Sequence, residues 1–546
     1  MRHAAILLSL LLALCGLIAP ASAQTSSSSV VYIPTADGYQ LQAYVAVPTS
    51  GNGPFPLVVM PSSWAFDYTE YRGIANNMAN NGYVVVSYSS RGFGCKALLP
   101  GAASTCGYVD VAGPLTVGDA STVINWALAN TPSDFSRIGI SGISYGAGTS
   151  LLAAAFLPVD PNRKWKIKAV AALSGWADLV ASLNANQTPS SLGISTLSTL
   201  GVTGNMGTLM QNVNTDLAQL PPDYFGAVQL VQNDPDTPLR SAINGVAQLN
   251  ESGTAVLLAN AFEDGLFVPS QYINFYNQLT GPKMILFSHG DHTTPEILGA
   301  QGNPNEIYTK VTRWFDYYLK GVQNGINLEL PVQLKSNTNV WDWYKDWNAV
   351  QQGAVTYTLT KPICGVLCVL QPATGGFTEG PGVTWSYSIT RGFASPTNTG
   401  VPLVTGGQPL PAVIPTINRS NAAVWVGPVV SATSAKTLWG MSPLRLTVTP
   451  SSSSATLVAS LYSMDPTGLA TLITWKPYTL LNTAAGVAKT ITLNLEATDY
   501  QIPAGNKLAL VIDTDDPRYA SATPYGGKVT FSSSAATPDT LTVTLR

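Results

Sequence analysis

From about Val30 to Gly325, short β-rich runs alternate with longer helix-like stretches, and no other feature constrains the fold of this chain as tightly. Pro56 to Met60, Tyr83 to Tyr88, Arg137 to Ser141, Lys168 to Leu173, Thr254 to Ala259 and Lys283 to Ser288 read as strands. Tyr71 to Asn80, Ala120 to Ala129, Ala147 to Phe156 and Asn305 to Lys320 read as helices, and Val30 to Ile33 with Leu41 to Val47 as an N-terminal hairpin. Strands separated by helices pair in parallel through crossovers, which predicts an α/β sheet with helices on both faces. Such a sheet binds ligands at the C-terminal ends of its strands. An insert at about 183–248, rich in Ser, Thr, Asn and Leu and helix-compatible over Met206 to Leu220, is expected to lie over that end as a lid.

After about Leu330 the alternation stops. Runs such as Leu444 to Val448, Ala455 to Leu461, Thr490 to Leu495 and Lys507 to Ile512 are separated by turn clusters. Many short strands spaced by turns predict an all-β sandwich or jelly roll. The expected organisation is a leader at 1–23, an α/β domain at 24–329 carrying the insert, and an all-β domain at 330–546. The leader follows from Arg2, the apolar run Ala4 to Ile18 and the small-residue site ending at Ala23. That run is shorter than the roughly 20 apolar residues a membrane span needs, so export to the periplasm or outside the cell is expected.

The cysteines agree with export. Cys15 falls in the leader, and the other four form two local pairs, Cys95 with Cys106 and Cys364 with Cys368, read as loop-stapling disulfides. Zinc is the competing reading for such pairs, but no His lies near either. Charged residues make up only 10% of the chain, 27 basic against 30 acidic, with no basic stretch. That composition argues against nucleic acid and anionic membrane surfaces as partners, leaving small molecules or peptides. Oligomeric state is not legible. Asp513, Asp515 and Asp516 read as a turn, because they lack the spaced oxygen ligands of a calcium loop.

Gly142, Ile143, Ser144, Tyr145 and Gly146 form a GxSxG pentapeptide between an Ile-rich strand and a small-residue helix start, the context of a nucleophile elbow. A serine hydroxyl needs a base at neutral pH, and the chain beyond its leader holds only two imidazoles, His289 and His292. Asp264, in the loop after one strand, precedes them in the order Ser, Asp, His typical of α/β-hydrolases. Glu263 is the alternative acid and His289 the alternative base. The Tyr145 amide, opening the helix after Ser144, is expected to be one oxyanion donor. The second should come from Pro61 to Trp64, through the Trp64 indole or the Ser63 backbone. No cofactor or metal is required.

These residues resemble the serine hydrolases that group Xaa-Pro dipeptidyl-peptidases, cocaine esterase, α-amino acid ester hydrolases and glutaryl acylases, the S15-like peptidases. The resemblance spans nearly the whole chain. It runs through Ser90 to Gly94, the GISYG elbow, Phe262 to Ser270, Trp314 to Gly321, Leu461 to Pro466 and Pro503 to Gly505. It implies an α/β-hydrolase domain with a helical cap and a C-terminal jelly roll. It also implies Ser144 as nucleophile, Asp264 as acid and His292 as base, since the family's histidine stands several residues past its strand. The chain departs from the family at Trp64, where a donor Tyr is usual, and at Ser89, where an Asp is usual.

Recognition of a free α-ammonium needs carboxylates near the acyl pocket, yet Asp264 is followed by Gly265, Leu266, Phe267 and Val268. That favours an apolar acyl group and a carboxylic ester substrate, with amides as the related class. A dipeptidyl-peptidase taking its carboxylate from the cap, at Asp216 or Asp223, is the alternative. A non-catalytic exported binding protein is the other.

Overall fold

The computed structural model describes residues 26–94, 106–157, 165–365, 372–392 and 410–546. The expected leader lies outside these residues. So do Cys95 and Cys368, one member of each expected disulfide.

Among the described residues, the first domain is built on ten strands. They are β1 (Ser26–Pro34), β2 (Gln40–Pro48), β3 (Phe55–Pro61), β4 (Val84–Tyr88), β5 (Ser133–Ile143), β6 (Ile167–Leu173), then, beyond a small hairpin of β7 (Asn184–Ala185) and β8 (Thr188–Pro189), β9 (Ala255–Ala261), β10 (Lys283–Ser288), β11 (Val332–Lys335) and β12 (Trp341–Tyr344). The sheet order is β1-β2-β4-β3-β5-β6-β9-β10-β11-β12. Neighbours from β4 through β11 run parallel, and antiparallel strands close both edges. Strands such as Val84–Tyr88 and Ala255–Ala261 are buried at every position, which is why they read as continuous apolar runs rather than alternating ones.

Helices α1 (Arg72–Asn80), α2 (Pro114–Asn130) and α3 (Tyr145–Phe156) fall where the sequence places helices. The insert forms a cap of α4 (Leu179–Leu183), α5 (Ser191–Gly201), α6 (Thr208–Leu217) and α7 (Tyr224–Asn233). Beyond it come α8 (Val246–Ser252), α9 (Pro269–Gln278) and, after the short turn Ile297–Ala300, α10 (Glu306–Lys320). Two apolar cores, one on each face of the sheet, bury the crossover helices: Leu151 and Tyr272 lie on one side, Met78 and Trp314 on the other.

The composition change near residue 330 marks the end of helix–strand alternation but not a change of sheet. Ile285 to Phe287 of β10 pair with Val332 to Leu334, and β12 pairs with β11, so the first sheet continues to Tyr344. The sequence reading places no strand at β11 or β12, and only long-range pairing shows that they join the first sheet. Among the described residues, the remaining strands form a 14-stranded all-β domain around its own core, including Trp425, Leu461 and Phe531. This domain grips the cap hairpin. The Thr479 amide donates to Asn186 O (3.0 Å), Asn186 Nδ2 to Pro477 O (3.0 Å), and the Ala520 amide to Pro189 O (2.9 Å). The aspartates at 513–516 are part of the same scaffold: Asp516 is bound twice by the Arg518 guanidinium, and Asp515 pairs with Arg391.

Candidate active site

Ser144 sits on the sharp turn between β5 and α3, in a backbone conformation (φ 55°, ψ −120°) that a non-glycine residue rarely adopts. Two glycines permit the turn. A Cβ on Gly142 would stand 2.5 Å from the Gly146 backbone, and one on Gly146 only 2.2 Å from Pro61 O. Strain at the turn is held by packing: the Ile143 amide donates to the buried Tyr71 hydroxyl (2.8 Å) and the Ser144 amide to Leu173 O (2.9 Å).

The loops after β9 and β10 bring Asp264 and His292, the expected acid and base, to this point. His292 Nε2 lies 2.9 Å from Ser144 Oγ, and His292 Nδ1 lies 2.9 Å from Asp264 Oδ2. Asp264 is wholly buried, and its other oxygen accepts the Leu266 and Phe267 amides at 2.8 and 2.7 Å. Among the described residues Asp291 makes no hydrogen bond to either imidazole ring. Its Oδ1 instead accepts the amides of His292 (2.7 Å) and Gly265 (3.0 Å), tying the two loops together.

Burial opposes charge on the His292 imidazole, but the Asp264 carboxylate beside it, helped by Glu296 and Asp291, outweighs burial and holds its pKa above the ordinary 6.5. With Nδ1–H donated to Asp264, Nε2 presents a lone pair to the serine hydroxyl, the arrangement a general base needs.

His289 and Glu263 are a second pair, not a spare set for Ser144. Their closest atoms, Nδ1 and Oε1, are 2.5 Å apart, and the other Glu263 oxygen accepts the Gly290 amide (2.9 Å). The other ring nitrogen, His289 Nε2, donates to Asp499 O of the all-β domain (2.8 Å). Both nitrogens face acceptors, so this ring is best satisfied as an imidazolium, and Glu263 raises its pKa against the opposing effect of burial.

The loop after β3 departs from expectation. The Trp64 indole N–H donates to Leu197 O in α5 (2.9 Å), and the Ser63 amide donates to Glu70 Oε2 (2.7 Å). Neither expected second oxyanion donor is therefore free. The sequence shows the right loop but not the long-range acceptors. Ser63 Oγ lies 2.9 Å from Ile143 O, which fastens this loop to the residue before the nucleophile. Among the described residues, neither the Trp64 nor the Tyr145 amide meets a backbone acceptor.

A cavity opens from Ser144 into the cap. Trp64, Tyr145, Trp176 and Phe267 form its floor in a chain of ring contacts with centroids 5.1–5.9 Å apart. Leu179, Ile194, Met210 and Val228 line it from above. Among the described residues, apart from Ser144, the one strongly polar side chain lining it is Gln232, and no charged residue does. Asp223 is occupied elsewhere, capping α7 through the Gly226 amide (2.8 Å), and Asp216 lies on a separate surface groove. Trp176 was not singled out by sequence reasoning. Its signal is its position just past the C-terminal end of β6, the end at which ligands bind. Among the described residues no three His, Cys, Asp or Glu side chains gather as a metal site.

Residues 37–294 match the family model of X-Pro dipeptidyl-peptidase (S15 family), and residues 324–544 match that of the X-Pro dipeptidyl-peptidase C-terminal non-catalytic domain. No curated protein matches the chain by sequence. Among solved structures, an α-amino acid ester hydrolase labelled with selenomethionine is similar at 15% identity, over 97% of this chain and 98% of the other, with a TM-score of 0.69. A CocE/NonD family hydrolase from Staphylococcus aureus aligns at 14% identity over 95% and 94%, with a TM-score of 0.67. An aminopeptidase from the marine sediment archaeon Thaumarchaeota archaeon aligns at 14% identity over 96% and 97%, also at 0.67. At such identities the structural likeness speaks for the fold.

Proposed function

The chain belongs to the S15 family of serine hydrolases with both of that family's domains, and from this premise we propose that it is an exported esterase for carboxylic esters with uncharged, apolar acyl groups. Ser144 Oγ attacks the ester carbonyl while His292 Nε2 takes its proton, and Asp264 holds the ring and offsets the imidazolium charge. The Tyr145 and Trp64 amides stabilise the oxyanion. The imidazolium then protonates the leaving alkoxide, and water, activated by the same ring, releases the acid from the acyl-enzyme.

The observation that carries the ester reading is the lining of the cavity at Ser144. Among the described residues it offers aromatic and aliphatic surface to an acyl chain and no carboxylate to an α-ammonium. Burying an unpaired ammonium there would cost several kcal/mol. Dipeptidyl-peptidase action, the activity for which the matching family is named, would need a carboxylate that the described lining of this cavity does not supply. Amide cleavage through the same acyl-enzyme remains open to acyl groups without that charge. Export rests on the N-terminal leader pattern. A fluorophosphonate probe should label the wild type and not Ser144→Ala. Turnover of short acyl esters but not of Xaa-Pro anilides is the expected pattern, and the reverse pattern would replace this reading with the peptidase one.

A further inference from the structure

Behind the site lies a carboxyl group that the mechanism does not use. Glu296 stands four residues after His292 on the same turn, where its amide donates to Thr293 O (3.2 Å). It is fully buried, and among the described residues no well-formed hydrogen bond reaches either carboxyl oxygen, although the Ser174 hydroxyl acts on the group. A buried acid so poorly partnered is costly and needs a reason. The turn itself is strained, with Thr293 at φ 65° and its amide directed at Ser174 Oγ (3.3 Å), a hydroxyl at the end of β6 that also acts on Glu296. The ionisable groups that act on Glu296 are Asp264 and His292 from the catalytic loops, Tyr272 from α9 and Tyr308 from α10, the last also feeling Glu70. Asp291 acts on His292 but is engaged by two amides.

We propose that Glu296 is a positioning residue for His292: a second buried carboxyl, behind Asp264, that favours the imidazolium and so sets the pH at which the base becomes available. The inference rests on the triad reading. Burial pushes the Glu296 carboxyl up to about 7, although the Ser174 hydroxyl and the His292 charge act against burial. Each of the two groups acts on the ionisation of the other. Below that value Glu296 is neutral and adds nothing to the carboxylates already beside His292. Above it, Glu296 joins Asp264 in stabilising the imidazolium that forms as Ser144 gives up its proton.

The test is the pH profile of kcat/KM on a short acyl ester. Glu296→Gln, equal in size but uncharged, should move the acid limb down by about one pH unit. Glu296→Asp, which keeps the charge, should leave it much closer to wild type. A folded Glu296→Gln enzyme with an unmoved limb overturns the proposal, as does an aspartate variant that moves as far as the glutamine one. The wild type supplies an arm independent of variant folding: two linked ionisations make its acid limb broader than a one-proton curve, and a one-proton limb also overturns the proposal. Loss of turnover in Ser144→Ala combined with an unmoved limb in Glu296→Gln would reject Glu296 and spare the triad. Turnover surviving in Ser144→Ala would instead reject the triad.

Discussion

The two histidine sites of this protein are built from the same parts on the same two loops, yet they serve different ends. Each pairs an imidazole Nδ1 after β10 with a carboxylate after β9, His292 with Asp264 and His289 with Glu263. The difference lies at the far nitrogen. His292 Nε2 meets a hydroxyl that can donate to it, so the ring can stay neutral and accept a proton. His289 Nε2 meets the Asp499 carbonyl, which only accepts, so the ring is held as a cation pinning the all-β domain to the catalytic loops. A histidine–carboxylate pair is therefore no mark of a base until the partner of the second nitrogen is known.

Breaking each pair separately should expose that difference. Removing the nucleophile or base, by Ser144→Ala or His292→Ala, should lower kcat by about a millionfold, measured on a short acyl ester. Asp264→Asn, which leaves the ring in the wrong tautomer, should cost roughly ten-thousandfold in the same assay. His289→Ala should leave kcat within about threefold of wild type but reduce stability by about 2 kcal/mol, read as a lower Tm.

The pH dependence of that stability sharpens the comparison. Because the folded pKa of His289 is raised, its contribution is complete below the unfolded value near 6.5 and is lost as pH rises through the folded value. The Tm gap between wild type and His289→Ala should thus be widest near pH 6 and narrow in alkaline buffer. For His292 the corresponding effect is on rate: the acid limb of kcat/KM should have its midpoint above 6.5, since only the neutral ring is a base.

The parts of this site that are local in sequence are legible there. The elbow is written in Gly142 and Gly146, and the loops after β9 and β10 place Asp264 and His292 by their distance from apolar runs. What the sequence does not disclose depends on contacts made across long stretches of chain. The acceptor of the Trp64 indole lies 133 residues away, and that of His289 Nε2 lies 210 residues away. Glu296 looks like a solvated loop acid until α9 and α10 close over it, because burial is a property of the packed fold. The cap was foreseeable as an insert. Its apolar ceiling over Ser144 was not, since Ile194, Met210 and Val228 come from three helices whose packing no single periodicity reveals.

Whether the cavity at Ser144 takes an uncharged acyl group is tested most directly by comparing kcat/KM for the 4-nitrophenyl esters of butanoic acid and of 2-aminobutanoic acid, which share a leaving group and differ by one ammonium. Desolvating that ammonium without a partner, at about 3 kcal/mol or more, predicts a preference for the butanoate of at least about a hundredfold. Equal rates, or a preference for the amino acid ester, would contradict the account.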